Sequence, residues 1–233
     1  GHKRPIGKDI FGDTVIWDLD NHSTPHVLVC GATGSGKSVC VRSTIEYGLA
    51  AKIEDVVILD PKYEFLHYNG RGCLVKNEIE DIEETMARLV LDMNNLVKKG
   101  KKRMTLVIFD EFADALSQSK GDKLPPEVLS NMDDELRLQV AKGLEENLRI
   151  LLQKGRSCGF RAMAGTQRAS VKVITGDAKV NFPVQICFRV PRTVDSMVVL
   201  DEAGAEALAG QGDGLIKSPE YRDTVRFQAF YKS

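Results

Sequence analysis

The chain has 233 residues, of which 32 are Lys or Arg and 33 are Asp or Glu, so its formal net charge is −1. With 42% hydrophobic and 28% charged residues, it has the composition of a globular domain and too much apolar content for a disordered chain. No apolar run reaches the roughly 18 residues that a membrane helix needs. Because the net charge is close to zero, any binding to nucleic acid must depend on a local basic surface.

The N-terminus and the cysteines indicate the compartment. Residues 1–5 are not followed by an apolar core, so no secretory signal is predicted, and the missing initiator Met suggests a fragment of a longer protein. The five cysteines are scattered, which predicts buried thiols in a reducing compartment and neither disulfides nor a zinc site. They are Cys30, Cys40, Cys73, Cys158 and Cys187. We therefore expect a cytoplasmic protein, or the cytoplasmic part of a membrane-anchored one.

Short β-branched runs alternate with longer helical stretches along the chain. This alternation predicts one α/β domain over residues 1–233, with a mostly parallel sheet flanked by helices. Strands are predicted at 26–30, 56–60, 106–109, 160–165, 184–190 and 225–231. Helices are predicted at 37–51, 79–98 and 135–154, where apolar residues recur at helical spacing. Residues 117–134 contain Gly, Pro, Ser and charges, which predicts a surface loop insertion.

A phosphate-binding motif follows the first strong strand. Eight consecutive residues fit the pattern G-x-x-x-x-G-K-[ST] without a mismatch, between a predicted strand and a predicted helix. They are Gly31, Ala32, Thr33, Gly34, Ser35, Gly36, Lys37 and Ser38. In such a P-loop the backbone N–H groups and the helix N-terminus face the phosphates. Lys37 reaches the β- and γ-phosphates and Ser38 completes a Mg²⁺ shell. The predicted nucleotide-binding residues are these eight and Val39. The alternative is a flexible Gly/Ser turn with a chance Lys.

Polar side chains end two later strands. Asp110 and Glu111 come directly after 106–109, and Gln167 follows the strand at 160–165. In a parallel sheet these strand ends lie at the same edge as the P-loop. Asp110 is therefore expected to hold Mg²⁺, Glu111 to polarise the attacking water, and Gln167 to sense the γ-phosphate or orient the water. For Gln167, a polar strand end without a catalytic role is the alternative.

Taken together, these and other motifs resemble the motor domain of the FtsK/SpoIIIE family. The resemblance runs in order from about residue 5 to the end of the chain, through residues 6–10, 24–38, 59–62, 108–114, 154–157, 166–171, 173–176, 200–206 and 212–213. It implies a RecA-like P-loop ATPase that uses ATP and Mg²⁺, assembles as a hexameric ring and moves double-stranded DNA through the central channel. Family members also carry a membrane region and often a winged-helix domain, neither of which is recognised in this sequence.

The resemblance also assigns individual residues. Arg156 matches an arginine finger that acts on the ATP of the neighbouring subunit, whereas composition alone indicates a solvated cation at a helix end. Arg168 and Lys179 match basic residues of the channel loops.

Two departures from the family concern the channel loops and the insertion. Family Lys and Arg positions fall on Thr193 and Met197 here, where Arg192 and the nearby Arg189 are candidate replacements. The 117–134 segment is longer than the family usually has.

Residues 98–103 form a basic run, which we interpret as a solvated turn or as a contact with DNA or a partner.

Three functions are compatible with these residues. The first is an ATP-driven double-stranded DNA translocase, in chromosome segregation or conjugative transfer. The second is the ATPase of a type VII-like protein secretion system, which the loss of cations at Thr193 and Met197 keeps open. The third is a P-loop domain that binds ATP without hydrolysing it, which the intact Lys37, Asp110 and Glu111 disfavour. Any membrane contact is expected only through regions outside this chain.

Overall fold

A single mixed sheet runs through the computed structural model, which describes residues 1–231. Its ten strands are β1 (Lys3–Asp9), β2 (Thr14–Asp18), β3 (His26–Cys30), β4 (Asp55–Leu59), β5 (Leu74–Lys76), β6 (Thr105–Phe109), β7 (Phe160–Thr166), β8 (Val184–Phe188), β9 (Asp213–Lys217) and β10 (Val225–Ala229). The helices are α1 (Lys37–Ala50), α2 (Ile79–Lys99), α3 (Phe112–Gln118), α4 (Pro126–Leu129), α5 (Asp134–Ala141), α6 (Leu144–Lys154), α7 (Gly176–Val180) and α8 (Thr193–Leu200).

The sheet has a parallel part and an antiparallel extension. Its strand order is β2-β1-β10-β9-β8-β3-β7-β6-β4-β5. Neighbouring strands from β8 to β5 pair in parallel. Neighbouring strands from β8 through β9, β10 and β1 to β2 pair antiparallel. All carboxyl ends of the parallel strands therefore meet at one edge, where ligands bind in sheets of this class.

Two layers of apolar side chains cover the central strands. In β6, Leu106 and Ile108 pack into one hydrophobic cluster and Val107 and Phe109 into the other. This alternation follows from the two-residue period of a strand. The clusters are completed on one face by α1 and on the other by α2 and α6. The predicted α/β class, with a mostly parallel sheet flanked by helices, is confirmed.

Three predicted elements have bounds that differ clearly from those of the structure. The predicted helix at 135–154 is two helices, α5 and α6, because Gly143 between them has a φ of +94°, a left-handed conformation that a helix cannot contain. The strand predicted at 184–190 ends at Phe188, where the pairing with β9 also ends. The strand predicted at 225–231 ends at Ala229.

The segment 117–134 is more ordered than a surface loop. It contains the end of α3, a 3₁₀ turn at Gly121–Lys123 and α4. Leu124 and Met132 are buried in a small cluster with side chains of α2 and α5. The buried carboxylate of Glu83 in α2 accepts hydrogen bonds from the backbone N–H groups of Lys120 and Gly121. Leu124 and Met132, on either side of the two prolines, therefore hold this insertion against α2.

Four strands were not predicted from the sequence: β1, β2, β5 and β9. The first two and β9 belong to the antiparallel extension, whose pairs join residues far apart in the chain, such as Gly7 and Ala229. Local patterns carry little information about such pairings. Within residues 1–231, no helix is long and apolar enough to cross a membrane.

Candidate nucleotide site

The P-loop lies where the sequence predicts it, between β3 and α1 at the carboxyl edge of the parallel strands. Its first two N–H groups are tied to the flanking strand ends. The N–H of Gly31 donates to Thr166 O at 3.2 Å, and the N–H of Ala32 donates to Arg189 O at 3.0 Å. Gly36 has a φ of +112°, and a Cβ there would lie 2.7 Å from the backbone of Gly212. Only glycine therefore fits at that point of the loop.

Lys37, Asp110 and Glu111 form a buried charge cluster above the P-loop. The Lys37 ammonium donates to Asp110 Oδ1 at 2.8 Å and to Glu111 Oε1 at 2.9 Å. None of the three side chains is more than 4% exposed. Burial opposes the charged form of Lys37, but the charges of the two carboxylates and their hydrogen bonds outweigh it and raise the pKa of Lys37. Lys37 therefore keeps its positive charge in this buried position.

Glu111 is held in an unusual backbone conformation. Its φ is +49° and its ψ is +43°, in the left-handed region, which costs a residue with a Cβ about 1–3 kcal/mol. The turn directs the carboxylate back toward the P-loop, where Glu111 Oε2 also accepts the N–H of Gln167 at 3.3 Å. The structure therefore joins Glu111 and the Gln167 backbone in one hydrogen-bonded arrangement. Such strain typically marks functional positions.

Asp110 has one oxygen without a partner. Its Oδ1 accepts from Lys37, whereas Oδ2 is buried with no hydrogen bond among the described residues. A Cβ on Gly165 of the adjacent β7 would lie 2.5 Å from Asp110 Oδ1. Glycine at 165 therefore leaves the room in which this carboxylate sits. A buried carboxylate oxygen without a donor is costly unless a ligand or water satisfies it.

A cleft of about 530 Å³ opens at Lys37, with Asp110 and Glu111 behind the lysine and outside the lining. It is lined by Ala32, Thr33, Gly34, Gly36, Lys37, Ser38, Val39, Glu64, Gln167, Gln211, Gly212, Ala229, Phe230 and Tyr231. Most of the predicted nucleotide-binding residues are in this set, and Gln167 is with them. Glu64, Gln211, Phe230 and Tyr231 were not found from the sequence. No spacing rule points to them, since they come from loops and from the end of the antiparallel β10.

Acidic groups dominate the end of the cleft near Lys37. Burial raises the pKa of Glu64, and the charge of Asp110 raises it further. Asp60, which is 1% exposed, follows β4 and accepts the N–H groups of Glu64 and Phe65. Burial raises the pKa of Asp60 as well. Several carboxylates therefore lie close to the one ammonium group at this end of the cleft.

Arg156 lies at the opposite edge of the sheet. It is exposed in a 3₁₀ turn, Gly155–Cys158, just before β7 begins. The seven residues of β7 separate it from Gln167 at the cleft, a span of roughly 20 Å. The structure therefore does not bring Arg156 to the P-loop of its own chain.

The predicted DNA contacts divide into two groups. Arg168 and Arg192 line one groove of about 500 Å³, together with Lys172. Arg192 is 71% exposed and pairs with Asp195 at 3.1 Å. Lys179 does not line this groove: its ammonium lies 2.7 Å from Asp201, and its side chain is only 12% exposed.

The uncharged positions Thr193 and Met197 are exposed on α8, beside this groove. Arg189 is exposed beside the P-loop, in a second groove lined by Thr33 and Gly34. The cationic surface is therefore built mainly from loop residues, while the exposed face of α8 carries little charge.

Sequence relatives were found along nearly the whole chain. Residues 2–111 match the FtsK/SpoIIIE family model. The chain is 33% identical to the DNA translocase FtsK of Campylobacter jejuni, and 36% identical to the DNA translocase SftA of Bacillus subtilis. Each alignment covers 98% of this chain and 25% of the relative. The chain therefore spans about a quarter of the length of these curated relatives.

Solved structures share the fold. The conjugation coupling protein TcpA of pCW3, solved as a monomer with ATPγS, is 28% identical, with a TM-score of 0.80 over 100% of this chain and 66% of that one. The type VII secretion ATPase EccC of Thermomonospora curvata is 22% identical, with a TM-score of 0.76 over 99% of this chain and 28% of that one. The P-loop ATPase fold expected from the sequence is thus confirmed.

Proposed function

This chain belongs to the FtsK/SpoIIIE family, and on that premise we propose that it is the ATP-hydrolysing motor part of a double-stranded DNA translocase. Two kinds of relative support the proposal: proteins named as DNA translocases, similar over nearly the whole chain, and a conjugation coupling protein solved with an ATP analogue. Chromosome segregation and conjugative transfer are both processes in which such a motor acts. We place it in the cytoplasm, as the motor of a longer protein.

The observation that carries the proposal is the buried cluster of Lys37, Asp110 and Glu111 over the P-loop. Phosphates bound along the loop compete with the carboxylates for the Lys37 ammonium. When Lys37 turns to the phosphates, both carboxylates are released for other partners. Glu111, still held by the Gln167 N–H, can then accept a hydrogen bond from the attacking water.

The reaction is the hydrolysis of the β–γ phosphoanhydride. A water oxygen attacks the γ-phosphorus in line with the bridging oxygen, and the bond to that oxygen breaks, leaving ADP and phosphate. Glu111 orients the water and takes up its proton. Lys37 stabilises the negative charge on the transferred phosphoryl group.

The residues present fit a Mg²⁺ ion. The unpartnered Oδ2 of Asp110 is an oxygen acceptor with nothing else to bind among the described residues. Ser38 follows Lys37, the residue that bonds to Asp110, in the first turn of α1. Mg²⁺ typically takes one or two protein oxygens and completes its shell with phosphates and water. Ser38 and Asp110 would hold the ion, which would neutralise charge on the β- and γ-phosphates.

A second subunit completes the site in this proposal. Arg156 is exposed at the far edge of the sheet from its own P-loop, a position that leaves it free to contact a neighbouring copy. A head-to-tail contact of this kind uses two different faces and closes into a ring when the rotation allows. We propose a hexameric ring, in which Arg156 stabilises the transferred phosphoryl group of its neighbour.

Duplex DNA is the polymer that we propose the motor translocates. Arg168 and Arg192 line one groove next to the cleft, and contacts to phosphates are independent of sequence. Gln167, beside Arg168, joins this groove to the nucleotide site. A movement of Gln167 when the γ-phosphate is lost can therefore be passed directly to Arg168, the next residue in the chain.

A protein secretion ATPase is the second candidate. One observation favours it: the exposed positions Thr193 and Met197 of α8 carry no charge, where the family pattern has cations. A surface with fewer cations binds phosphates less strongly. The likeness to EccC concerns the fold alone.

The test is the rate of ATP hydrolysis with and without linear duplex DNA, across a salt series. We expect DNA to stimulate the rate, and the stimulation to fall as salt rises. Poly-glutamate of equal charge is the control for a nonspecific polyanion effect. Hydrolysis that DNA leaves unchanged at every salt concentration would contradict the DNA motor.

A further inference from the structure

The two ends of the nucleotide cleft differ in chemistry. One end, near Lys37, is formed by Glu64 and Gln167 and is polar and acidic. The other end is formed by the loop at 211–212 and by residues 229–231, which are the last residue of β10 and the two that follow it. This second end carries Phe230 and Tyr231 and no acidic side chain among its lining residues.

The second end is fixed to the P-loop by backbone hydrogen bonds. The N–H of Gln211 donates to Gly34 O at 3.2 Å, and the N–H of Gly212 donates to Ser35 O at 2.9 Å. Gly210, Gln211 and Gly212 all have positive φ values. For Gln211, whose φ is +52°, this conformation is strained. The strained loop therefore keeps a set position relative to the phosphates.

Tyr231 is attached to the same loop. Its hydroxyl donates to Gln211 O at 3.0 Å, and the side-chain amide of Gln228 donates to the same oxygen at 2.9 Å. Even so, the Tyr231 side chain is 63% exposed. Phe230 beside it is held by its backbone, whose N–H donates to Ile6 O at 2.9 Å. An aromatic ring is thus positioned at the cleft while much of it remains uncovered.

From this arrangement we propose that Tyr231, with Gln211 and Phe230, forms the subsite for the purine base of the nucleotide. The inference rests on the proposed function, because it takes the P-loop as the triphosphate site. The γ-phosphate belongs near Lys37, Asp110 and Glu111, so the ribose and base extend toward the other end. Aromatic rings stack on bases without reading their edges, so this subsite contributes affinity for the nucleotide.

The subsite can be separated from the phosphate site by the choice of ligand. MgATP and magnesium tripolyphosphate share three phosphates, but only the first carries a base. We expect Tyr231→Ala to weaken MgATP binding about tenfold, as loss of one base–aromatic stack does, and to leave the Kd of tripolyphosphate unchanged. Tyr231→Phe keeps the ring and is expected to retain most of the ATP affinity. Isothermal titration calorimetry measures each Kd.

The control is Phe11→Ala, which removes another exposed aromatic ring, 82% exposed at the tip of the β1–β2 hairpin and outside the cleft. It should change neither Kd. An equal loss of both ligands in Tyr231→Ala would show that Tyr231 acts only by holding the P-loop and would overturn the subsite. Unchanged ATP binding would overturn it too. A wild-type chain that binds neither ligand would overturn the proposed function, and the subsite with it.

Discussion

The nucleotide cleft and the cationic groove beside it hold their charges in opposite ways. In the cleft, Lys37, Asp110 and Glu111 are at most 4% exposed and bound to one another. In the groove, Arg192 is 71% exposed, with one surface partner at 3.1 Å. Buried, partnered charges are preorganised for one reaction, whereas exposed cations grip many phosphates weakly and with strong salt dependence. Single substitutions in the cleft should therefore abolish most ATP hydrolysis, whereas each substitution in the groove should weaken DNA binding by a smaller amount.

The largest effect is expected from Glu111→Gln. The amide keeps the size of the side chain, so binding of ATP should persist, but it cannot accept the proton of the attacking water. We expect turnover to fall about 10,000-fold, the upper end of what the loss of a general base costs. Phosphate release measures turnover, and Lys98→Ala, at an exposed Lys in the last turn of α2, is the control. Turnover near that of the wild type would refute the assignment of Glu111.

Lys37→Met tests the same cluster by removing its positively charged group. Removing one partner of a buried ion pair leaves uncompensated charge and destabilises a protein by about 3–5 kcal/mol. The variant should lose ATP binding and also melt at a lower temperature. Full turnover in a folded Lys37→Met chain would rule out this site.

Arg156→Ala tests whether the two edges of the sheet meet across subunits. We expect ATP binding to remain and hydrolysis to fall about 1,000-fold or more, as for other arginine fingers acting in trans. Mixing with Glu111→Gln subunits should restore part of the activity, because some interfaces then join an intact Glu111 to an intact Arg156. A fully active Arg156→Ala chain would disprove the trans role.

Substitutions in the groove should reduce DNA affinity in small steps. Replacing Arg168 and Arg192 with Ala should reduce the slope of DNA affinity against salt by about one for each cation, with basal ATP hydrolysis nearly unchanged. Lys179→Ala should change the slope less, because its ammonium is already paired with Asp201. Fluorescence anisotropy with labelled duplex measures the slope. Equal loss of basal and DNA-stimulated turnover in the double variant would contradict a role confined to DNA.

The smallest expected effect concerns stability, at the edge of the sheet away from the cleft. His26 bonds to Leu152 O and to the Ala162 N–H through its two ring nitrogens. Burial, with the charges of Arg161 and Arg156, lowers its pKa from 6.5 to about 4. The unfolded chain therefore binds the proton more readily, and stability is lost as pH falls from about 6.5 toward 4.

This loss should reach about 2 kcal/mol between pH 7.5 and pH 5, as measured by urea unfolding at both values. His26→Gln is the control. It should be less stable at pH 7.5, but its stability should change less between the two pH values. The same pH dependence in the variant and the wild type would show that other groups cause it.

The sequence predicted those parts of the fold and site that depend on local patterns. The P-loop needs only neighbouring glycines and a strand–helix context, and Asp110 and Glu111 follow a short apolar run. Their expected meeting at one edge of the sheet agrees with the Lys37 hydrogen bonds. The prediction of a single helix at 135–154 was wrong, because Gly143, which has a positive φ, divides a continuous apolar pattern into two helices.

Other features depend on contacts between distant residues. The antiparallel extension joins the first residues of the chain to the last ones, and it brings Phe230 and Tyr231 to the cleft. The left-handed conformation of Glu111 and the space that Gly165 leaves for Asp110 are consequences of packing between strands. The pairing of Lys179 with Asp201 also arises only in the folded chain.

A crystal structure of the chain with ATPγS and Mg²⁺ tests the central claim most directly. The account predicts the triphosphate along Gly34–Ser38, with the Lys37 ammonium moved from Asp110 to the phosphates and Glu111 facing the γ-phosphate. An empty cleft at saturating ligand would contradict the account. So would a nucleotide bound while Lys37 still holds both carboxylates.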